Sequence, residues 1–232
     1  MGANKNFAEL NKVMDTLFSE NGCPWEKAQT HKSIRSNLLE ESYEVAEAID
    51  DSDMSALKEE LGDLLLQVIL HSRIAEANGD FTLDNVMDQL SKKLISRHSH
   101  IFGQDTAKTP EEALQSWEAN KMREKAILTP LENMQAVPKA LPSLARAQKV
   151  IKRSSKDSME NFSVKLAVDE INHLFAKLNE DTENASKNSS NEDEMGTCGN
   201  ILFLMAQILT KKQINAEFAL TNAVQTFINS FM

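Results

Sequence analysis

Between Ile34 and Ile49 apolar residues return every three or four positions. On a helix turning about 100° per residue, Ile34, Leu38, Val45 and Ile49 fall on one stripe. Glu41 lies inside that stripe and Glu44 at its edge, while Glu40 and Glu47 point away toward solvent. The pattern returns from Met54: Leu57, Leu61, Leu64 and Val68 form the core stripe of a second helix, bordered on one side by Glu60 and Asp63. Residues three apart are neighbours on a helix surface, so each helix offers two adjacent carboxylates.

The rest of the chain reads as helices of similar kind. A first runs from Lys5 to Glu20 and ends in the turn NGCPW, where Trp25 is expected to pack the loop, with any substrate contact left open. Thr30 is in place to cap the acidic helix that reaches Ile49. DDSD (50–53) is a tight connection, and the next helix, Met54 to Asn78, stops at Asn78-Gly79. Thr82 opens a helix that continues toward Ile101 and ends before Gly103. TPEEAL (109–114) combines a Thr cap, Pro at the first helical position and acids in the first turn, which predicts a further helix. Residues 127–142 contain three of the five prolines and mark a boundary between halves. A helix begins near Pro142, and the polar stretch 183–194 reads as a flexible loop.

The second half repeats the first in outline. LEESYEVAEAIDD (39–51) lies on VDEINHLFAKLNED (168–181), with Glu41 on Glu170, and LGDLLLQVIL (61–70) lies on CGNILFLMAQ (198–207), with Gly62 on Gly199. The match is weak residue by residue and rests on the shared order of elements and the Gly-Asp/Gly-Asn register.

Composition supports an all-α architecture: seven glycines, five prolines and one tyrosine in 232 residues, with many Leu, Ala, Glu and Lys. A net charge of -10 argues against a duplex nucleic acid partner and suits a bound cation. Cys23 and Cys198 form no framework and read as reduced thiols of a cytoplasmic protein. The opening residues lack the apolar core of a signal peptide and the myristoylation pattern, and no apolar run predicts a membrane span.

Two helices joined by a short turn are antiparallel neighbours and can bring the two carboxylate pairs face to face. Four such acids cannot all stay ionised without a cation, and an all-oxygen donor set favours a hard ion, Mg²⁺ with Mn²⁺ as a substitute. The alternative is an ordinary solvated acidic face, since a lone ExxE is common in helices. EExxE followed by ExxD, with one acid inside an apolar stripe, is more specific. No histidine stands at metal spacing on these helices, which argues against a di-iron site of the ExxH type.

EESYE (40–44) with EELGD (59–63) resembles the signature of the MazG family of nucleoside triphosphate pyrophosphohydrolases. CPWEKAQTHKSI (23–34), KKLISRHSHIFG (92–103), SWEANKMREK (116–125) and VPKALPSLARAQKVIKR (137–153) resemble the same family in the same order. The resemblance implies tandem helical repeats of the all-α NTP-pyrophosphatase type, with a helical bundle completed by homodimerisation. It implies metal ligands at Glu41, Glu44, Glu60 and Asp63, a catalytic carboxylate at Glu40 or Glu41, and nucleotide contacts at Asn37, Lys58, Glu59, Lys93, Arg97 and Trp117. Lys93 and Arg97, an i,i+4 pair, suit triphosphate oxygens, although a solvated basic face would look alike. Trp117 could stack a base or simply pack in a core.

At the positions equivalent to the acid quartet the second half carries Glu170, His173, Thr197 and Asn200, a single carboxylate, and TNAVQTFINSFM (221–232) has no counterpart of Lys93 and Arg97. The expectation is therefore a catalytic repeat at 1–128, a proline-containing linker at 129–141 and a noncatalytic repeat at 142–232. The expected activity is Mg²⁺-dependent hydrolysis of nucleoside triphosphates to monophosphate and pyrophosphate. The rival is a noncatalytic nucleotide-binding module with a structural ion.

Overall fold

A computed structural model of the chain describes residues 2–126, 129–154, 159–183 and 191–231. Among them the elements are helices: α1 (Gly2–Phe18), α2 (Pro24–Lys27), α3 (Arg35–Asp50), α4 (Met54–Asn78), α5 (Leu83–Arg97), α6 (Ser99–Phe102), α7 (Pro110–Glu124), α8 (Pro130–Gln135), α9 (Ser143–Ser154), α10 (Val164–Glu183), α11 (Asn191–Lys211) and α12 (Ala216–Asn229). No strand occurs among the described residues, as expected for an all-α chain. None of the described helices is long and apolar enough to cross a membrane. The chain forms two compact units, Met1–Ser116 and Trp117–Met232.

In the first unit α3 and α4 run antiparallel and share the most extensive helix–helix contact. The turn between them succeeds because Ser52 adopts a left-handed φ of 57° and Asp53 caps α4, its Oδ1 accepting from Ser55 N at 2.9 Å and Ala56 N at 3.0 Å. Met14 of α1, Ile34, and Ile69, Leu70 and Ile74 of α4 form the core beneath this hairpin. Arg73 holds α4 to α1 by an ion pair with Asp15 and a 2.9 Å hydrogen bond to Asn11 Oδ1. α4 ends at Gly79, whose φ of 76° favours glycine. The NGCPW turn closes through Cys23 N donating to Leu17 O at 2.8 Å, and a Cβ at Gly22 would sit 2.1 Å from that oxygen.

Several boundaries differ from the sequence pattern. α3 begins at Arg35, not after Thr30; Thr30 and Ser33 instead close a turn of their own, each side-chain oxygen accepting from the other's N–H at 3.0 and 3.1 Å. The helix opened by Thr82 keeps its capping box with Asn85 but breaks at His98 (φ -100°, ψ 53°), where the imidazole Nδ1 lies 2.7 Å from Leu94 O and competes for the carbonyl that the helix uses. Trp25 is 56% exposed rather than packed in its loop. Ile49, Leu61 and Val68, expected in the core, are 54%, 49% and 40% exposed, and the buried side of α4 is formed by Gln67, Ile69, Leu70, Ser72, Ile74 and Ala75. A wheel locates an apolar stripe but does not say what covers it.

In the second unit Ala167 and Ile171 of α10 pack on Ile201 and Ile208 of α11. Gln148 of α9 is buried with its amide fully used: Nε2 donates to Thr210 Oγ1 at 3.2 Å and Ile214 O at 2.8 Å, and Oε1 accepts from Ala216 N at 2.9 Å. Residues 129–141 include α8, capped by Thr129 and packed against α9. Most of the polar stretch 183–194 lies outside the described residues.

Truncation at the heart of the first core, Ile69→Ala, should cost about 2–5 kcal/mol, and loss of the α4 cap in Asp53→Ala about 1 kcal/mol. Both are read from urea unfolding midpoints at constant m-value.

Candidate metal centre

Glu41 of α3 and Glu60 and Asp63 of α4 each offer one carboxylate oxygen, and these atoms lie within 4.8 Å of one another. Antiparallel packing produces the convergence: Glu41 faces the α4 turn that carries both acids. Among the described residues no other group of three His, Cys, Asp or Glu side chains converges in this way. Glu44, one turn beyond Glu41, lies outside the triplet but close enough to act on both Glu41 and Glu60. With Glu47, Asp51, Asp53 and Glu60 it lines an open acidic groove.

The crowding shows in the protonation equilibria. Burial, then the charges of Asp63 and Glu44, push the Glu41 carboxyl above its ordinary range. Glu60 is raised by burial, then by Glu44, Asp63 and Glu59. Opposing this, Gln67 Nε2 donates to Glu41 Oε1 at 3.4 Å. A cluster that disfavours its own ionisation and contains only carboxylate oxygens fits a hard divalent cation, which would relieve the repulsion without needing a nitrogen or sulfur ligand.

Of the other residues singled out by the sequence, Glu40, Lys58 and Glu59 are exposed on α3 and α4, and Asn37 is half-buried one turn before Glu41. Lys93 is half-buried and Arg97 is 7% exposed, so a solvated basic face does not describe Arg97; it describes Lys92, whose Nζ lies 2.6 Å from Asp88 Oδ2 in solvent. Trp117 belongs to the second unit, where the Lys121 ammonium sits 4.7 Å from its ring centroid. Glu170 and His173 are exposed on α10, Thr197 is buried on α11 with Oγ1 donating to Asp193 O at 3.0 Å, and Asn200 is exposed.

Two features escaped the sequence reading. Gln67, 4% exposed, touches Glu41; its signal was a lone amide four residues after Asp63 in the apolar run LLLQVIL, on the acid side of the helix. His31 and His71 meet with their Nδ1 atoms 2.9 Å apart. They are 40 residues apart in the chain, so no local pattern could announce them.

An antiparallel helical pair with carboxylates gathered in its seam defines an all-α protein with an acidic cluster that could accommodate a hard cation. A family model described as the MazG nucleotide pyrophosphohydrolase domain matches residues 29–102, which include Glu41, Glu60, Asp63, Lys93 and Arg97. Over 225 residues the chain is 32% identical to the nucleoside triphosphate pyrophosphohydrolase/pyrophosphatase MazG of Thermotoga maritima, covering 97% of this chain and 84% of that protein. It is 34% identical over 213 residues to a nucleoside triphosphate pyrophosphohydrolase of Escherichia coli (strain K12), covering 91% and 80%. With the uncharacterized protein YabN of Bacillus subtilis it shares 41% identity over 146 residues, 63% of this chain but only 30% of YabN. The chain belongs to the MazG family.

Raised carboxyl pKa values give the sign of a pH effect. Without a cation the folded chain binds protons at Glu41 and Glu60 more tightly than the unfolded chain. Their stabilising contribution is complete below the ordinary value of 4.5 and is lost as pH rises through the raised values. Glu41→Gln should therefore raise the melting temperature of the metal-free protein by a few degrees near pH 7, with the gain vanishing toward pH 4.5. Thermal melts in EDTA across that range check it.

Proposed function

We propose that this chain hydrolyses nucleoside triphosphates to the monophosphate and pyrophosphate, with Glu41, Glu44, Glu60 and Asp63 holding Mg²⁺ and Mn²⁺ able to replace it. The observation that carries the reading is the convergence of Glu41, Glu60 and Asp63, in a chain whose MazG relatives are named for this activity. When bound, the ion would supply positive charge to the triphosphate oxygens and make a water more acidic. Glu40 or Glu41 accepts the proton of the water that attacks the α-phosphorus. Lys93 and Arg97 stabilise the charge on departing pyrophosphate, a role suited to the half-buried and buried cations of α5. Asn37, Lys58, Glu59 and Trp117 make the remaining nucleotide contacts.

In this reading residues 1–128 are the catalytic repeat, 129–141 the linker, and 142–232 a repeat without catalysis. Glu170, His173, Thr197 and Asn200 provide only one carboxylate and cannot neutralise a magnesium triphosphate. The working form is a cytoplasmic homodimer serving nucleotide-pool cleaning or control. Support for the dimer is a strip of exposed apolar residues, Leu39 and Tyr43 on α3 and Leu61, Leu65 and Val68 on α4, that this chain leaves in water.

Product analysis tests the activity. Incubation with Mg²⁺ and a panel of standard and oxidised triphosphates should yield monophosphate and pyrophosphate in equal amounts; orthophosphate as the sole product would sink the reading. Glu41→Gln and Asp63→Asn should each lower turnover by at least roughly a hundredfold, beyond what loss of a supporting residue does, and Glu170→Gln should leave it within twofold. Light scattering should give twice the chain mass, and Leu65→Glu should shift the equilibrium toward single chains; one chain mass for the unaltered protein at all concentrations removes the dimer.

A further inference from the structure

Two buried polar atoms one turn apart on α4 have no hydrogen-bond partner among the described residues: Gln67 Oε1 and His71 Nε2. Buried polar groups are nearly always satisfied, and Gln148, the buried glutamine of the second unit, uses its whole amide. Gln67 is 4% exposed and spends only Nε2, on Glu41 Oε1. The amide orientation follows from charge: turned over, it would aim its oxygen at a carboxylate.

His71 and His31 define the other end. Their ring planes are within 8° of parallel with centroids 5.2 Å apart, yet the Nδ1 atoms are only 2.9 Å apart. The nitrogens lie well inside the centroid separation, so the rings meet edge to edge through an N–H···N bond and not face to face. One proton occupies that bond. Burial, then the nearby His31, lower the His71 pKa and keep this ring neutral, with one N–H to place. With His71 protonated at Nε2, its Nδ1 accepts from His31 Nδ1–H and its buried Nε2–H is left to find an acceptor. A water held between them accepts from His71 Nε2–H and donates to Gln67 Oε1, the two polar partners a buried water requires. Each link then joins a donor to an acceptor, and the series ends at Glu41.

We propose that His31, His71 and Gln67, linked by one buried water, form a one-way hydrogen-bond chain that orients the Glu41 carboxylate, with His71 and Gln67 as positioning residues. In kinetic terms the proposal rests on the pyrophosphohydrolase reading above, because what it predicts is a loss of turnover rather than of substrate binding. Groups that support a metal-binding side chain lower affinity or activity by roughly 10–100-fold when removed. Gln67→Leu keeps the volume and discards the amide, so it should lower kcat by at least tenfold and raise the Mg²⁺ concentration for half-maximal turnover. KM for the triphosphate should stay within about twofold and the melting temperature should not fall. His71→Phe should act in the same direction, and His71→Gln, which returns an N–H, should recover most of the loss.

Long-range ¹⁵N–¹H spectra of the unaltered protein near pH 7.5 give a second readout that needs no turnover. The expected tautomers are Nε2–H at His71 and Nδ1–H at His31. The reverse pair, or Gln67→Leu and His71→Phe both folded with kcat lowered less than tenfold, overturns the chain. Absence of triphosphate turnover in the unaltered protein removes the pyrophosphohydrolase reading alone, and the tautomers then decide whether the chain exists.

Discussion

The first unit is organised around a repulsion: like charges are placed in the one seam where two helices must touch. Antiparallel pairing of α3 and α4 puts Glu41 opposite Glu60 and Asp63, and the tight turn at Ser52 and Asp53 joins the two helices. Burial of Met14, Ile34, Ile69, Leu70 and Ile74 on the other side of the hairpin supplies the opposing force. Under the proposed function a cation would relieve this repulsion, so the same geometry that burdens the fold would favour its binding.

What the sequence made legible follows from the range of each interaction. Caps are local: Thr82 opens α5 and Gly79 ends α4 as the residue types require, and within the short connection at 50–53 Asp53 caps α4. The carboxylate pairs were visible because helical periodicity is rigid over a few turns. Thr30 misled because Thr and Ser can cap a single turn as readily as a helix, and Ser33 was there to answer it. The break at His98 depends on an imidazole finding the Leu94 carbonyl, which residue order does not show. The edge-to-edge meeting of His31 and His71 and the exposure of Leu61 and Val68 depend on what the rest of the fold brings, or fails to bring, against those faces.

Polar burial differs in kind between the units. Gln148 has every amide atom matched within the protein, and it ties α9 to the turn after α11 as a fixed strut. Among the described residues Gln67 is matched on one side only, and that side is an acid of the cluster. A strut has no reason to end at a carboxylate whose ionisation is already strained; a support for that carboxylate does.

The second unit gives the molecule its own reference compound. α10 and α11 close an apolar seam of Ala167, Ile171, Ile201 and Ile208 in the order used by α3 and α4, and no gathered acids occur there among the described residues. Hydrogen exchange on a single sample, with and without divalent ion, thus compares the apolar seam of α10 and α11 with the acidic one of α3 and α4 under identical solvent, temperature and chain concentration. Any change in protection confined to α3 and α4 belongs to the acids and not to helix packing as such.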